Sequence, residues 1–209
     1  MPNKPKQQKG DKDGMQRILL AARNEFCRAG LSGAKLEVIA LEAGVSKQLI
    51  HHYFRTKTEL YAATVDDATR DVMAQLNGID YEQCPPEEAL TRFIHRLFHL
   101  LHEHPFVAGI FNDQNLRGGE HTSEQISRRP RLTMRLEEVL RRGQAEGVFR
   151  RDVDAHAILA AAVMIAMGCF TSREIMAAFV PVAFETPEDM ARWRDLAVKV
   201  MLDQMLARP

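Results

Sequence analysis

A chain of 209 residues, 45% hydrophobic and 27% charged, has room for one compact body plus a small second module, and its make-up excludes wholesale disorder and a fibrous repeat. The formal net charge is zero, but residues 1–60 carry 11 Lys/Arg against 6 Asp/Glu, and the remainder carries 17 against 22. A basic N-terminal module on an acidic body fits a protein that meets phosphate at one end only.

Residues 1–14 are rich in Lys, Gln and Gly and read as a disordered basic tail, either inert or laid over DNA as an arm. The helical period starts at Met15. Met15, Ile18, Leu19, Ala22, Phe26 and Ala29 follow the i, i+3, i+4 spacing of one buried stripe, with Arg17, Arg23 and Arg28 off it. Gly30 ends that helix. Leu36, Ile39, Ala40 and Ala43 make a second short stripe, closed by Gly44, and Ser46 is placed to cap a third helix, Lys47 to Tyr53. Three helices this short enclose few side chains and need a neighbour. A longer helix from Lys57 to about Asn77 supplies one, with Leu60, Tyr61, Thr64, Val65, Ala68, Val72 and Leu76 on one broad face.

Pro85-Pro86 marks the next boundary, and Glu87 to Glu103 is a strongly amphipathic helix closed by Pro105. Phe106 to about Leu116 is apolar on one side, Gly118-Gly119 reads as a turn, and Ser123 to about Gln144 reads as a helix broken or kinked at Pro130. Asp154 caps an apolar helix running to about Ala178, and Glu188 to Ala207 is a final amphipathic helix. With no period-2 pattern and no internal repeat, the fold class is all-α: a helix-turn-helix domain over 15–61 and a larger helical body over 62–209. The longest apolar run, Ala157 to Phe170, has 14 residues, short of the ~20 that a membrane span needs. Cys27, Cys84 and Cys169 stand far apart without a C-x-x-C pair, which suits a reducing cytosol, and no signal peptide precedes the first helix. The expected location is therefore cytoplasmic.

The informative stretch is Ile39 to Phe54. A helix-turn-helix needs small residues where its helices cross, here Ala40 and Ala43. It needs a residue tolerant of positive φ in the turn, Gly44, and an apolar residue just after it, Val45. Ser46, Lys47, Gln48, His51 and His52 then form a polar outer face, while Leu49 and Ile50 face inward. Gln48 suits paired hydrogen bonds to adenine in the major groove, and Lys47 suits guanine or a phosphate. His52, Tyr53 and Lys57 are expected to hold flanking phosphates, with Lys57 in a first helical turn whose N–H groups favour an anion.

Residues 16–62 resemble the DNA-binding domain of the TetR (tetracycline-repressor-like) family. The matching residues are Ile18-Leu19, Ala21-Ala22, Phe26, Gly30, Ile39-Ala40, Ala43-Gly44-Val45-Ser46, His52-Tyr53-Phe54, Lys57 and Leu60. The stretch Gly143 to Arg150, followed by Asp152-Val153-Asp154, resembles a turn found in that family before the first of two dimer helices. The resemblance implies an all-helical homodimer of about nine helices, a second motif helix that reads the operator, and a C-terminal body that binds a small effector. One departure stands out: where the family has a phosphate-contacting Thr, this chain has Ala34, with Lys35 beside it as a substitute by charge.

The implied effector pocket draws on Phe98, Leu101, His102, Phe106, Phe111, Asn115, Met134, Met164, Met167 and Phe170, residue types that equally build a plain core. Dimerisation is expected through the last two long helices, giving a pseudo-palindromic DNA operator as partner. His95, His99 and His102 share a helix face at i, i+4 and i+7, but they point away from the apolar face and are flanked by Arg92 and Arg96, so a solvated face is favoured over a metal site. No nucleophile elbow, P-loop or dinucleotide fingerprint is present, so neither catalysis nor a cofactor is expected. The reading is a repressor released from its operator by a small molecule. The alternative is a constitutive or metal-responsive DNA-binding regulator without an organic effector.

Overall fold

The structure, a computed structural model, describes residues 5–116, 118, 131–181, 183 and 186–207, with backbone alone for 5–12 and 155. Among these residues it is all-α, with ten helices: α1 (Pro5–Gly33), α2 (Leu36–Ala43), α3 (Lys47–Tyr53), α4 (Lys57–Asn77), α5 (Pro86–Glu103), α6 (Pro105–Leu116), α7 (Arg131–Ala145), α8 (Ala155–Thr171), α9 (Arg173–Phe179) and α10 (Pro187–Met205). The one extended pairing among them is an isolated antiparallel bridge between Phe149 and Leu206. No single described helix is long and apolar enough to cross a membrane. The expected kink at Pro130 and the helical segment before it lie outside the described residues.

The chain divides into two compact units, Met1–Asp71 with Gly109–Ser127, and Val72–Ala108 with Arg128–Pro209. The first unit therefore takes in most of α4 and most of α6, beyond the helix-turn-helix segment read from sequence. Two contacts account for this. Tyr61 Oη donates to Asp113 Oδ2 at 2.5 Å. Gly109 lies so close to Cys27 Sγ that a Cβ there would sit 3.3 Å from it.

Within the first unit, Ile18, Leu19, Ala22 and Phe26 are buried as the apolar period requires, together with Ile39, Ala40, Ala43, Ile50, Leu60, Tyr61, Val65 and Ala68. The Phe26 and Tyr61 rings meet edge to face at 4.9 Å. The stripe differs at its start. Met15 is exposed, and Gly14 is buried in its place, with Tyr53 Oη and Leu49 on the side where a Cβ would point. The helix also extends back to Pro5, through residues with no apolar stripe of their own. At its other end, Gly30 takes φ 63 and ψ 177, a region open to glycine, and breaks the helical path.

In the second unit α5 packs against α7, α8 and α10. Its apolar face, Phe93, Ile94, Leu97, Leu100 and Leu101, is buried as expected from the sequence. The long apolar helix expected from Asp154 to about Ala178 is instead two helices, α8 and α9, bent by 84° at Ser172. Thr171 Oγ1 donates back to the Met167 carbonyl at 3.1 Å, a competitor to the helical ladder that favours such a bend. Asp154 caps α8 as expected, accepting from His156 N–H at 2.9 Å. Thr186 and Asp189 cap each other's backbone reciprocally at the start of α10.

Candidate nucleic-acid interface

The turn between α2 and α3 is built from backbone geometry that few residues adopt. Gly44 sits at φ 63, ψ 40, the left-handed conformation that ends a helix, and its N–H donates to the Leu41 carbonyl at 3.1 Å. Val45 N–H donates to the Ala40 carbonyl at 3.0 Å. The Arg17 guanidinium donates to the Ala43 carbonyl at 3.1 Å, satisfying an α2 terminus that would otherwise lack a donor. Ser46 opens α3 by accepting the Leu49 N–H on its hydroxyl at 3.2 Å. Ile50, 1% exposed, anchors the inner face of α3, and Leu49 is half-buried.

The outer face carries the residues assigned from sequence. Ser46, Lys47, Gln48, His51 and His52 are all exposed, and so is Lys35 at the start of α2. Tyr53 is half-buried, its ring 5.4 Å from that of His52 and set edge-on. Ala34, where the family resemblance leads to a Thr, is buried. Lys57 has carbonyl partners within the unit. Its ammonium donates to the carbonyls of Ser32 and Ala34, both at 3.0 Å, and ties the end of α1 to the start of α4. The anion-favouring start of α4 is also occupied: the Glu59 carboxylate accepts the Arg55 N–H at 2.9 Å, and the Thr56 hydroxyl accepts the Glu59 N–H at 3.0 Å.

Two acids that sequence reasoning missed shape this surface. Glu37 accepts from the Lys47 ammonium at 2.5 Å. Glu25, 2% exposed, accepts the Lys35 N–H at 3.0 Å and two donors of the Arg28 guanidinium at 3.0 and 2.7 Å. Burial pushes the Glu25 carboxyl up, but these donors outweigh it and hold the carboxyl below its ordinary value. A signal for Glu25 existed: it follows Ala22 by three residues, on the buried stripe.

A rigid three-helix corner with a polar outer helix is a DNA-reading arrangement. Residues 18–64 match the family model of bacterial regulatory proteins, tetR family, and residues 86–201 match that of the tetracyclin repressor-like C-terminal domain. The chain belongs to the tetR family. Among curated relatives, this TetR-family chain is 26% identical over 192 residues to the HTH-type transcriptional repressor NicS of Pseudomonas putida, covering 87% of this chain and 89% of the relative. It is 29% identical over 143 residues to the HTH-type transcriptional repressor SCO4008 of Streptomyces coelicolor, covering 68% and 71%. Among solved structures, the transcriptional regulator SCO4942 from Streptomyces coelicolor superposes with a TM-score of 0.70 at 26% identity, over 93% of this chain and 98% of that one. A TetR-family regulator from Haemophilus influenzae shares the fold, with a TM-score of 0.67 at 17% identity over 95% and 99%. The TetR-family chain is thus a DNA-binding transcriptional regulator.

The residues read as an effector pocket stand at several places among the described residues. In the second unit, Phe98 and His102 line a cleft of about 200 Å³ between α5 and α10, with His95, His99, Met190 and Arg194. Burial and the Arg194 guanidinium push His95 below the ordinary imidazole value, against the pull of Asp195. Met134 lines a separate cleft of about 220 Å³ with Tyr81, Arg135 and Arg142. Leu101 is buried, and the Phe98 and Phe170 rings lie 6.3 Å apart. Phe106 and Met167 are half-buried, and Met164 is 73% exposed on α8. Phe111, half-buried, and Asn115, exposed, fall in the first unit. Among the described residues no three His, Cys, Asp or Glu side chains are grouped to hold a metal.

Proposed function

We propose that this regulator is a homodimeric repressor that binds a pseudo-palindromic operator through α3 and leaves it when a small molecule occupies the C-terminal unit. The observation that carries the reading is the exposed polar face of α3 on a corner locked by Gly44, Ser46 and Ile50. In it, Gln48 reads a base edge, Lys47 contacts a base or phosphate, and Lys35, Ser46, His51 and His52 meet the flanking backbone. Tyr53 supports that edge beside His52. Lys57 holds the chain around Ala34 with two carbonyl contacts and has a third donor for a flanking phosphate. The relatives named as repressors support repression rather than activation. The small α5/α10 cleft, lined by Phe98, Met190 and Arg194, is where an effector would first be sought in this unit.

Anisotropy with duplexes tiled across the protein's own locus tests this. One duplex should bind tightly, with affinity falling steeply as salt rises. Gln48→Ala should reduce discrimination between that duplex and a scrambled one by about tenfold or more. A flat salt response, or a Gln48→Ala variant with full discrimination, would remove α3 from the interface. An effector found by thermal shift should weaken the complex by roughly 5- to 150-fold, the usual range of coupling between two sites.

A further inference from the structure

Lys47 opens α3, yet its ammonium is already engaged. It donates to Glu37 Oε1 at 2.5 Å, across the turn that joins α2 to α3. Both side chains are largely in solvent, 46% and 65% exposed, so the pair holds no core together and a competing ion can reach it. Glu37 stands in the first turn of α2, where backbone N–H groups lack helical partners and favour an anion. The bond from Lys47 and a backbone N–H both hold its carboxyl below the ordinary value, so it is charged at neutral pH. The other acids named in this unit are engaged elsewhere: Glu25 with Arg28, Glu42 with Asn24, Glu59 at the start of α4 and Asp67 with Arg23. Glu37 is bonded to Lys47, a side chain of α3. Its carboxylate makes the contact with Lys47 that a DNA phosphate would make, at the kind of helix end where a phosphate would sit.

We propose that Glu37 is a built-in competitor for DNA: it holds Lys47 in the free protein, and a backbone phosphate displaces it when a duplex docks. This rests on α3 being the DNA-facing helix. The consequence is a weaker grip on any duplex, whatever its sequence. That keeps the electrostatic share of binding low, so that sequence contacts decide where the protein stays.

A duplex of random sequence is sufficient to test it. The full chain is titrated by anisotropy across a salt series as wild type, Glu37→Gln, Lys47→Gln and the double variant. Glu37→Gln should raise affinity at low salt about two- to fivefold, the scale of an exposed ion pair. It should also steepen the log–log salt slope by up to about one, because salt no longer weakens a competing pair together with the DNA contact. In the Lys47→Gln background, Glu37→Gln should change nothing. A gain that persists in that background overturns the proposal, since Glu37 would then repel phosphate directly. If Lys47→Gln weakens binding and Glu37→Gln leaves it unchanged, the competition is disproved while α3 keeps its role. If neither substitution moves affinity or slope, the start of α3 does not meet phosphate, and both readings fall.

Discussion

Glu25 is a charged side chain inside an otherwise apolar stripe, tolerable because its oxygens are fully engaged. One takes the Lys35 N–H and the other the Arg28 guanidinium, so the carboxylate fixes where α2 begins relative to α1. Its folded value is lowered, so the sign follows. The stabilisation is complete above the unfolded value of about 4.3 and is lost as pH falls through the folded value. Glu25→Gln should therefore lower stability at neutral pH by about 2 kcal/mol, the scale of hydrogen bonds to a charged group. The gap should close as pH falls through that lowered folded value. Thermal melts of both proteins across pH check this, and a gap independent of pH would mean that the charge is not what matters. At this scale the sequence was partly legible. Ser46, Gly44 and Asp154 announced their caps, because a cap depends on its own neighbours. Lys57 did not announce its carbonyl partners, which lie 25 and 23 residues away in the chain.

Most elements followed from periodicity; the helical start of α1 at Pro5 did not, and other departures came where two elements meet. The glycines before Val148-Phe149 were visible as a pair, but only packing shows why the first must be glycine. A Cβ on Gly143 would overlap the Phe149 ring, which folds back over α7 and is buried. Val148 and Phe149 both donate their N–H to the Gly143 carbonyl at 2.9 Å, so the ring has little freedom to retreat. Gly143→Ala should lower stability by roughly 1–3 kcal/mol, the usual cost of overfilling a packed site. Denaturant unfolding measures it, and an unchanged midpoint would show that the ring can move aside. The same blindness to long-range contacts hid the arginines of α7. Arg142 holds the carbonyls of Tyr81, Glu82 and Cys84 at 3.1, 2.6 and 2.7 Å, and Arg135 stacks 4.8 Å above the Tyr81 ring. Nothing in the spacing of α7 distinguishes these two from the solvated Arg141.

At the scale of the molecule, the C-terminal unit leaves apolar surface that a solitary chain has no reason to expose. Met164 on α8 and Leu196 and Val200 on α10 are exposed, and α9 buries none of its residues while exposing Ile175, Met176 and Phe179. On α10 the exposed Leu196 and Val200 lie roughly 120° around the helix from Met190 and Arg194, which line the cleft with α5. The flank of α10 carrying Leu196 and Val200, which also borders a recess beside Trp193, is the one we expect to meet a second copy. A symmetric dimer uses the same patch twice, and a stable one hides about 1,200–2,000 Å² in total. Leu196→Asp places two like charges near the axis of such an interface, where burial without a partner is costly. We expect sedimentation to show a dimer for the wild type and a monomer for the variant, with helical content unchanged. Operator affinity should fall at least tenfold, because a lone half cannot engage both half-sites together. A dimer that survives Leu196→Asp would move the interface off this flank of α10.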